Sequence, residues 1–405
     1  MNILILNAGS SSQKSCLYAL PDDRLPDQPL EPLWEGSIDL TYGEGLAEIK
    51  VSNVHGVKDR QTCPAGDRTQ LTQTLLQTLW QGATKVVEGP EAIHGVGHRV
   101  VHGGQVYQDA AQIDDNVMAT IRDLIPLAPV HNPANLAGIE IALDLLGKEV
   151  PQFAIFDTAF HRSIPDAAAV YPGPHTWLDQ GIRRYGFHGT SHEYCATRAA
   201  QLLGKSLSDL RLITCHLGNG CSLAAIRDGR CVDTTMGFTP LEGLMMGTRS
   251  GSVDPGILLY LMRKHGLGAD ELDKMLNKQS GLKGLSGVSN DMRLLQEAIA
   301  QGNAQAKLAF EVYIHRIRAN IGAMLPSVGR LDALVFTAGI GEHSEDVRSH
   351  VCEGFDFLGL TLDQTLNQQH PKDADIATPD SPVRVLVIHT QEDWQIARTC
   401  WTKMQ

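Results

Sequence analysis

Two stretches far apart in this 405-residue chain decide its reading: Leu4-Ile5-Leu6-Asn7-Ala8-Gly9-Ser10-Ser11-Ser12 and Leu212-Ile213-Thr214-Cys215-His216-Leu217-Gly218-Asn219-Gly220. Each runs a short apolar segment into a turn of small residues. A second strand-like stretch then follows, Cys16 to Leu20 in one case and Cys221 to Ile226 in the other. This pattern reads as a buried hairpin with a tight tip, where little side-chain bulk lets backbone N–H groups and hydroxyls close around an oxyanion. Lys14 adds charge near the first tip, and His216 and Asn219 add donors at the second. The repetition suggests a duplicated domain with a phosphate loop in each half. The competing reading is that Gly/Ser hairpins are common and that Asn219-Gly220 is an ordinary type I′ turn.

Other short apolar runs read as buried strands: Phe153 to Phe156, Leu210 to Cys215, Ala333 to Phe336 and Val383 to Ile388. Between them lie helical patterns, such as Leu136, Ile139, Leu143 and Leu146 closed by Gly147, and Phe310, Tyr313, Ile317, Ile321 and Met324. Strands alternating with helices argue an α/β architecture. Loops are expected at Pro21 to Pro32, Pro371 to Pro382 and Gly281 to Gly287. A third turn, Thr337-Ala338-Gly339-Ile340-Gly341-Glu342-His343, lacks the last glycine of a dinucleotide fingerprint because Ser344 stands there. Its glycines still let a flat base or ribose lie against the backbone.

With 42% hydrophobic and 20% charged residues, the chain is long enough for two or three globular domains. The formal net charge of -12 disfavours nucleic-acid or anionic-membrane binding, so an anionic substrate needs a local cluster of arginines, lysines and backbone N–H groups. The eight cysteines contain no C-x-x-C pair and suit reduced thiols in a cytoplasmic protein. No apolar run is long enough for a membrane span, and the N-terminus lacks the features of a signal peptide.

His94, His98 and His102 recur every fourth residue, but glycines and valines around them favour extended chain, which argues against a zinc site on a helix. His188 stands framed by Gly186 and Gly189, and Arg99 and Arg249 sit in glycine-rich segments. An arginine fork suits the dispersed charge of a phosphoryl group. Asp157 follows the run Phe153 to Phe156, and Glu392 follows Val383 to Ile388, where α/β enzymes place chemistry and where a carboxylate can hold Mg²⁺.

Together these segments resemble the acetate kinase family: N-A-G-S-S-S at Asn7, H-R-V-V-H-G-G at His98, H-N-P at His131, F-D-T-A-F-H at Phe156, R-R-Y-G-F-H-G-T-S-H at Arg183, H-L-G-N-G at His216, M-G-T-R-S-G at Met246 and T-A-G-I-G-E at Thr337. They occur in the family's order over nearly the whole chain. The resemblance implies two similar ribonuclease H-like domains of the actin and sugar-kinase type, with mixed sheets flanked by helices and the active site in the cleft between them. Residues 1–157 with 390–405 would form one domain and residues 158–389 the nucleotide-binding domain. The implied activity is reversible, Mg²⁺-dependent transfer of a phosphoryl group between ATP and acetate, giving ADP and acetyl phosphate, in the interconversion of acetyl-CoA and acetate. Mn²⁺ would substitute for Mg²⁺, and a cytoplasmic homodimer is expected.

Carried over position by position, the resemblance implies that Asn7 and Glu392 serve the metal and Lys14 assists ATP. His216, Leu217, Gly218, Asn219 and Gly220 would contact phosphates. Asp291, Met292 and Arg293, with Gly339, Ile340, Gly341, Glu342 and His343, would contact the nucleotide. Arg99 would bind the substrate carboxylate, Arg249 and His188 would stabilise the transferring group, and Asp157 is the catalytic carboxylate. Val101, Val130, Phe187 and Pro240 would form the apolar acyl pocket. The small Val101 favours a methyl over an ethyl, with propionate a poorer substrate. Three places depart from the family pattern: Ser252 for an Asp, Met292 within its triplet, and His389-Thr390-Gln391-Glu392-Asp393 for P-T-N-E-E. The rivals are a propionate or butyrate kinase, and an ATP-driven chaperone or filament protein of the same superfamily.

Overall fold

The computed structural model describes residues 1–405 apart from residues 10, 11, 44, 130 and 370. The chain forms two compact units, Met1–Ala159 with Gln391–Gln405, and Phe160–Thr390.

In the first unit, the described residues form an eight-stranded sheet in the order Lys58–Pro64, Leu46–Asn53, Trp34–Gly43, Ser12–Ala19, Asn2–Ala8, Gly95–Val100, Gln152–Phe156, Ala111–Gln112. Asn2–Ala8 pairs antiparallel with Ser12–Ala19 and parallel with Gly95–Val100, which in turn runs parallel to Gln152–Phe156. The first strand is apolar and buried from Ile3 to Leu6 because both of its faces are covered. Leu4 and Leu6 join a core with Trp34, Leu75 and Ala142, the last from the helix Asn132–Leu146. Ile5, pointing to the other face, meets Gly97 beside Ile396 and Cys400 of the helix Glu392–Met404. Gly97 has to lack a side chain, since a Cβ there would stand 2.6 Å from the Cys400 sulfur and 2.7 Å from Ile396.

In the second unit, the order is Arg230–Thr234, Cys221–Arg227, Arg211–Leu217, Ala333–Thr337, Arg384–Val387, Ala374–Asp375. Arg211–Leu217 again pairs antiparallel with the strand that follows it and parallel with Ala333–Thr337, which runs parallel to Arg384–Val387. This repeats the first unit's antiparallel meander, two strands shorter, followed by two parallel crossovers, so the two hairpins that opened the sequence occupy equivalent places. The helix Ala304–Val328 packs on this sheet, and Phe310, Tyr313, Ile317, Ile321 and Met324, the apolar stripe read from the sequence, are buried.

Four expectations change: the turn Thr337 to His343 contains the helix Ala338–His343, the loop Pro371 to Pro382 contains the short strand Ala374–Asp375, and two more follow. Gly281–Ser286 is a helix rather than a loop. Its first-turn N–H groups, which a helix leaves without internal partners, are satisfied from outside: Leu282 and Lys283 donate to the carbonyls of Met246 and Gly247 at 2.8 and 2.9 Å, and Ser280 just ahead donates to Thr248 at 3.1 Å. The turn at Asn219-Gly220 is not type I′, because neither residue has positive φ.

Candidate active site

At the end of the strand Asn2–Ala8, Asn7 accepts a hydrogen bond at 3.2 Å from Arg99 Nη1 and donates at 3.3 Å to Asp393 Oδ1. Arg99 lies at the matching end of Gly95–Val100, and Asp157 directly follows Gln152–Phe156. The two form a fork-to-fork ion pair, Nε to Oδ1 at 3.0 Å and Nη2 to Oδ2 at 2.5 Å. Asp157 is 1% exposed and Arg99 17%. Burial would lower the proton affinity of Arg99, but Asp157 together with Glu392 and Asp393 outweighs it and fixes the positive charge. These bonds engage three of the five guanidinium N–H groups, which leaves two for a further anion.

Glu392 and Asp393 begin the helix Glu392–Met404. Burial and the neighbouring Glu392 raise the proton affinity of Asp393, with the Asn7 amide opposing them. Two adjacent carboxylates with an amide oxygen nearby suit a hard cation that keeps most of its water, as Mg²⁺ does. Val101 is buried, with its N–H on Asn135 Oδ1 at 3.1 Å, and Lys14 is exposed on Ser12–Ala19. Val130, the remaining acyl-pocket residue expected from the first unit, lies outside the described residues, as do Ser10 and Ser11.

In the second unit, His188 precedes the helix Gly189–Leu203 with φ 57°, a left-handed conformation that few non-glycine residues adopt. Its ring stacks on that of His216 with centroids 4.1 Å apart, and its Nδ1 lies 2.9 Å from Ser222 Oγ. Arg249 donates from Nη1 to the carbonyl of Pro240 at 3.1 Å, and burial lowers its proton affinity. The two side chains converge beside Gly220. A Cβ on that glycine would stand 3.3 Å from His188 Nε2 and 3.6 Å from Arg249 Nη1. This places an imidazole and a guanidinium together against the turn that the sequence marks as a phosphate loop.

The loop carrying Arg249 is built onto that turn. Gly247 donates to the carbonyl of Asn219 at 3.0 Å, and a Cβ on Gly247 would collide with the Asn219 side chain. Ser252 closes the same loop through two 3.0 Å bonds, its N–H to the carbonyl of Gly243 and its Oγ accepting from Gly243 N–H. The departure at Ser252 is thus satisfied locally.

A cavity of about 590 Å³ lies over the helix Ala304–Val328, and another of about 450 Å³ is lined by three separate segments: Gly218 and Asn219; Asn290 to Arg293 with Gln296; and Gly339, Ile340, His343 and Ser344. The second gathers most of the nucleotide residues expected from the sequence. Leu217 is fully buried, and His216, Gly220, Gly341 and Glu342 do not line this cavity. Arg293 pairs with Asp291 at 2.6 Å at the start of its helix. Glu342 accepts instead from Ala338 N–H at 2.8 Å, Thr390 N–H at 3.1 Å and the His389 ring at 2.6 Å. Arg348, fully buried, donates to the carbonyls of Gly341 and Glu342 at 2.9 and 2.8 Å and so anchors the helix Ala338–His343. Phe187 is buried and Pro240 half-buried.

The residues missed from the sequence are Asp393, Asn290, Gln296, Ser344, Ser222 and Arg348. Asp393 was legible as the second acid of a helix's first turn. Ser222, one residue past the quoted turn, carried no signal of its own.

The histidines at 94, 98 and 102 serve local structure. His94 accepts from Asn2 N–H at 2.9 Å. His98 bonds Gln152 at 2.7 Å, and burial lowers its pKa to about 4. His102 accepts from Gly104 N–H at 3.0 Å. Among the described residues, no helix is long and apolar enough to cross a membrane.

Residues 2–398 match the acetokinase family. A protein of Gloeobacter violaceus named acetate kinase is 60% identical over 405 residues, the alignment covering all of both chains. The crystal structure of Porphyromonas gingivalis acetate kinase superposes with a TM-score of 0.90 at 38% identity, covering both chains fully. That of a propionate kinase from Francisella tularensis gives 0.89 at 36% identity over 99% of both. With a family match along nearly its whole length and relatives this close, the chain belongs to the acetokinase family.

Proposed function

We propose that this chain catalyses reversible, Mg²⁺-dependent phosphoryl transfer between ATP and acetate, with acetyl phosphate and ADP as products. The observation that carries the reading is the meeting of His188 and Arg249 beside Gly220, on the loop whose Gly218 and Asn219 line a cavity sized for a nucleotide.

An acetate oxygen forms a bond to the γ-phosphorus while the bond from that phosphorus to the β,γ-bridging oxygen breaks, and ADP departs with the electron pair. Acetate is already ionised near neutral pH, so no base is needed; alignment and charge stabilisation carry the rate. Arg99 holds the carboxylate with its two remaining N–H groups while Asp157 fixes its orientation. Arg249 and His188 spread the charge of the phosphoryl oxygens, and for Arg249 that anion also offsets the burial that disfavours its own charge. Gly218 and Asn219, Asp291 to Arg293, and Gly339, Ile340 and His343 hold the nucleotide. Asn7 and Glu392, with Asp393, would hold the metal, which would supply neutralising charge to the phosphates. Val101, Val130, Phe187 and Pro240 exclude longer acyl chains, and propionate is the poorer substrate.

The reaction belongs in the cytoplasm, and the working form is a homodimer. Support for the dimer comes from the helix Pro255–His265, none of whose residues is buried; Ile257, Leu259, Tyr260 and Met262 are each 44–52% exposed. An apolar helix of this kind marks an interface in a water-soluble protein. Leu259→Glu should sediment as a monomer if this helix joins two copies.

Acetyl phosphate formed from ATP and acetate, trapped as the hydroxamate, tests the activity. Arg249→Ala should abolish it with the fold intact, and survival of the activity would refute the mechanism.

A further inference from the structure

Behind His188 runs a buried chain of hydrogen bonds. His188 Nδ1 meets Ser222 Oγ at 2.9 Å, Ser222 Oγ meets His192 Nε2 at 2.7 Å, and His192 Nδ1 meets Thr214 Oγ1 at 2.7 Å. Ser222, His192 and Thr214 are fully buried. Burial, with His161 and His216 nearby, holds His192 neutral, so it carries one ring proton and accepts at its other nitrogen.

The protons can run along this chain in only two senses. If Thr214 donates to the carbonyl of Ala224, a contact of 3.4 Å, it accepts from His192 Nδ1. His192 Nε2 then accepts from Ser222, and Ser222 accepts from His188 Nδ1. This sense makes four hydrogen bonds; the opposite one forfeits the bond to Ala224 and makes three. It is also the only sense compatible with a doubly protonated His188, the form that an anionic phosphoryl group selects.

Resting on the phosphoryl-transfer reading above, we infer that Ser222, backed by His192 and Thr214, is a positioning residue that pins a proton on His188 Nδ1. His188 then offers Nε2–H to the phosphoryl group only as an imidazolium. The neutral ring would present a lone pair to a phosphate oxygen, which repels it. His188 thus works as a charge that comes and goes with pH beside the permanent charge of Arg249. The titratable groups around it include His216 in the stack, His192 through Ser222, His161 on the Phe187 carbonyl and Arg249 across Gly220. The neutral hydroxyl of Ser222 leaves this choice to the ring, where a carboxylate would hold the imidazolium permanently.

Two measurements test it. Nitrogen-15 spectra of histidine-labelled wild-type protein, with His188→Gln for assignment, should show the neutral His188 ring protonated at Nδ1. A ring protonated at Nε2 overturns the inference whatever the enzyme does. In initial-rate profiles of acetyl phosphate formation, wild-type kcat should fall tenfold per pH unit on an alkaline limb. Ser222→Ala, freed to take the Nε2–H tautomer, should lose about tenfold to a hundredfold at neutral pH and show a flattened alkaline limb. Ser222→Thr should restore the limb. An unchanged limb in Ser222→Ala overturns the inference. Absence of acetyl phosphate with wild-type protein overturns the functional reading instead, and the spectra still decide the tautomer.

Discussion

Gly220→Ala separates the geometry of the site from the stability of the fold. Gly220 does not have positive φ, so alanine suits its backbone. The added methyl would stand 3.3 Å from His188 Cε1 and Nε2, a contact that a shift of a few tenths of an ångström relieves, and 3.6 Å from Arg249 Nη1, an ordinary contact. The stability change should therefore stay under about 1 kcal/mol, lost backbone freedom in the unfolded chain offsetting the crowding. The methyl nevertheless fills the volume that a phosphoryl oxygen needs in order to touch both groups. A hydrogen bond to a charged partner contributes about 1.5–3 kcal/mol, so weakening both lowers kcat by about two to three orders of magnitude. The assay is the initial rate of hydroxamate-trapped acetyl phosphate at saturating substrates, with a thermal melt on the same preparation. A variant that melts like wild type and keeps more than about a third of its kcat would refute the assignment of that space to the phosphoryl group.

Asp157→Asn leaves the Arg99 charge without its fork partner. It should cost about 3 kcal/mol in urea unfolding and raise KM for acetate more than KM for ATP. For the Glu342–His389 pair, the hydrogen bond that His389 donates to Glu342 raises His389 against the pull of burial, with Lys372 opposing the rise and Asp373 adding to it. Glu342, which burial alone would raise, is lowered by His389 and by the Thr390 and Ala338 N–H groups. The His389 contribution is complete below its unfolded value of 6.5 and disappears as pH rises through the raised folded value. The Glu342 contribution is present above 4.5 and disappears as pH falls through the lowered folded value. The melting advantage of wild type over His389→Gln should thus be largest between about pH 5 and 6.5 and disappear as pH rises through the raised folded value of His389; a difference that is flat with pH would sink this account. Propionate should be turned over with a kcat/KM about tenfold below that of acetate, since one methylene in an apolar pocket discriminates by about 1–3 kcal/mol; equal values would refute the pocket assignment.

Much of this was legible before any coordinates. Ile3 to Leu6 and Leu212 to Cys215 announce themselves as strands because burial on both faces demands unbroken apolar runs, and the turns after them advertise anion binding by lacking side chains. What stayed hidden depends on contacts between distant segments. Gly281–Ser286 looks like a loop because its glycines are poor helix formers, yet its N–H groups are fixed by carbonyls more than thirty residues earlier in the chain. Ser222 is an unremarked strand residue until His188 and His192 arrive on either side of its hydroxyl. Arg348 is anonymous in its helix, and only the fold reveals that it grips two carbonyls of the segment beside the cavity.

The helix Glu392–Met404 packs on the face of the first unit's sheet where Ile5 and Gly97 lie. A chain emerging from the ribosome therefore makes that sheet early but cannot cover it until residues 391–405 have appeared. The intervening unit, Phe160–Thr390, is continuous and can close first. During synthesis, Ile5 and its neighbours wait exposed through more than two hundred residues of translation. That interval is when this protein most needs a chaperone, and a stop codon that removed the final helix would leave a finished second unit attached to a first unit that never seals.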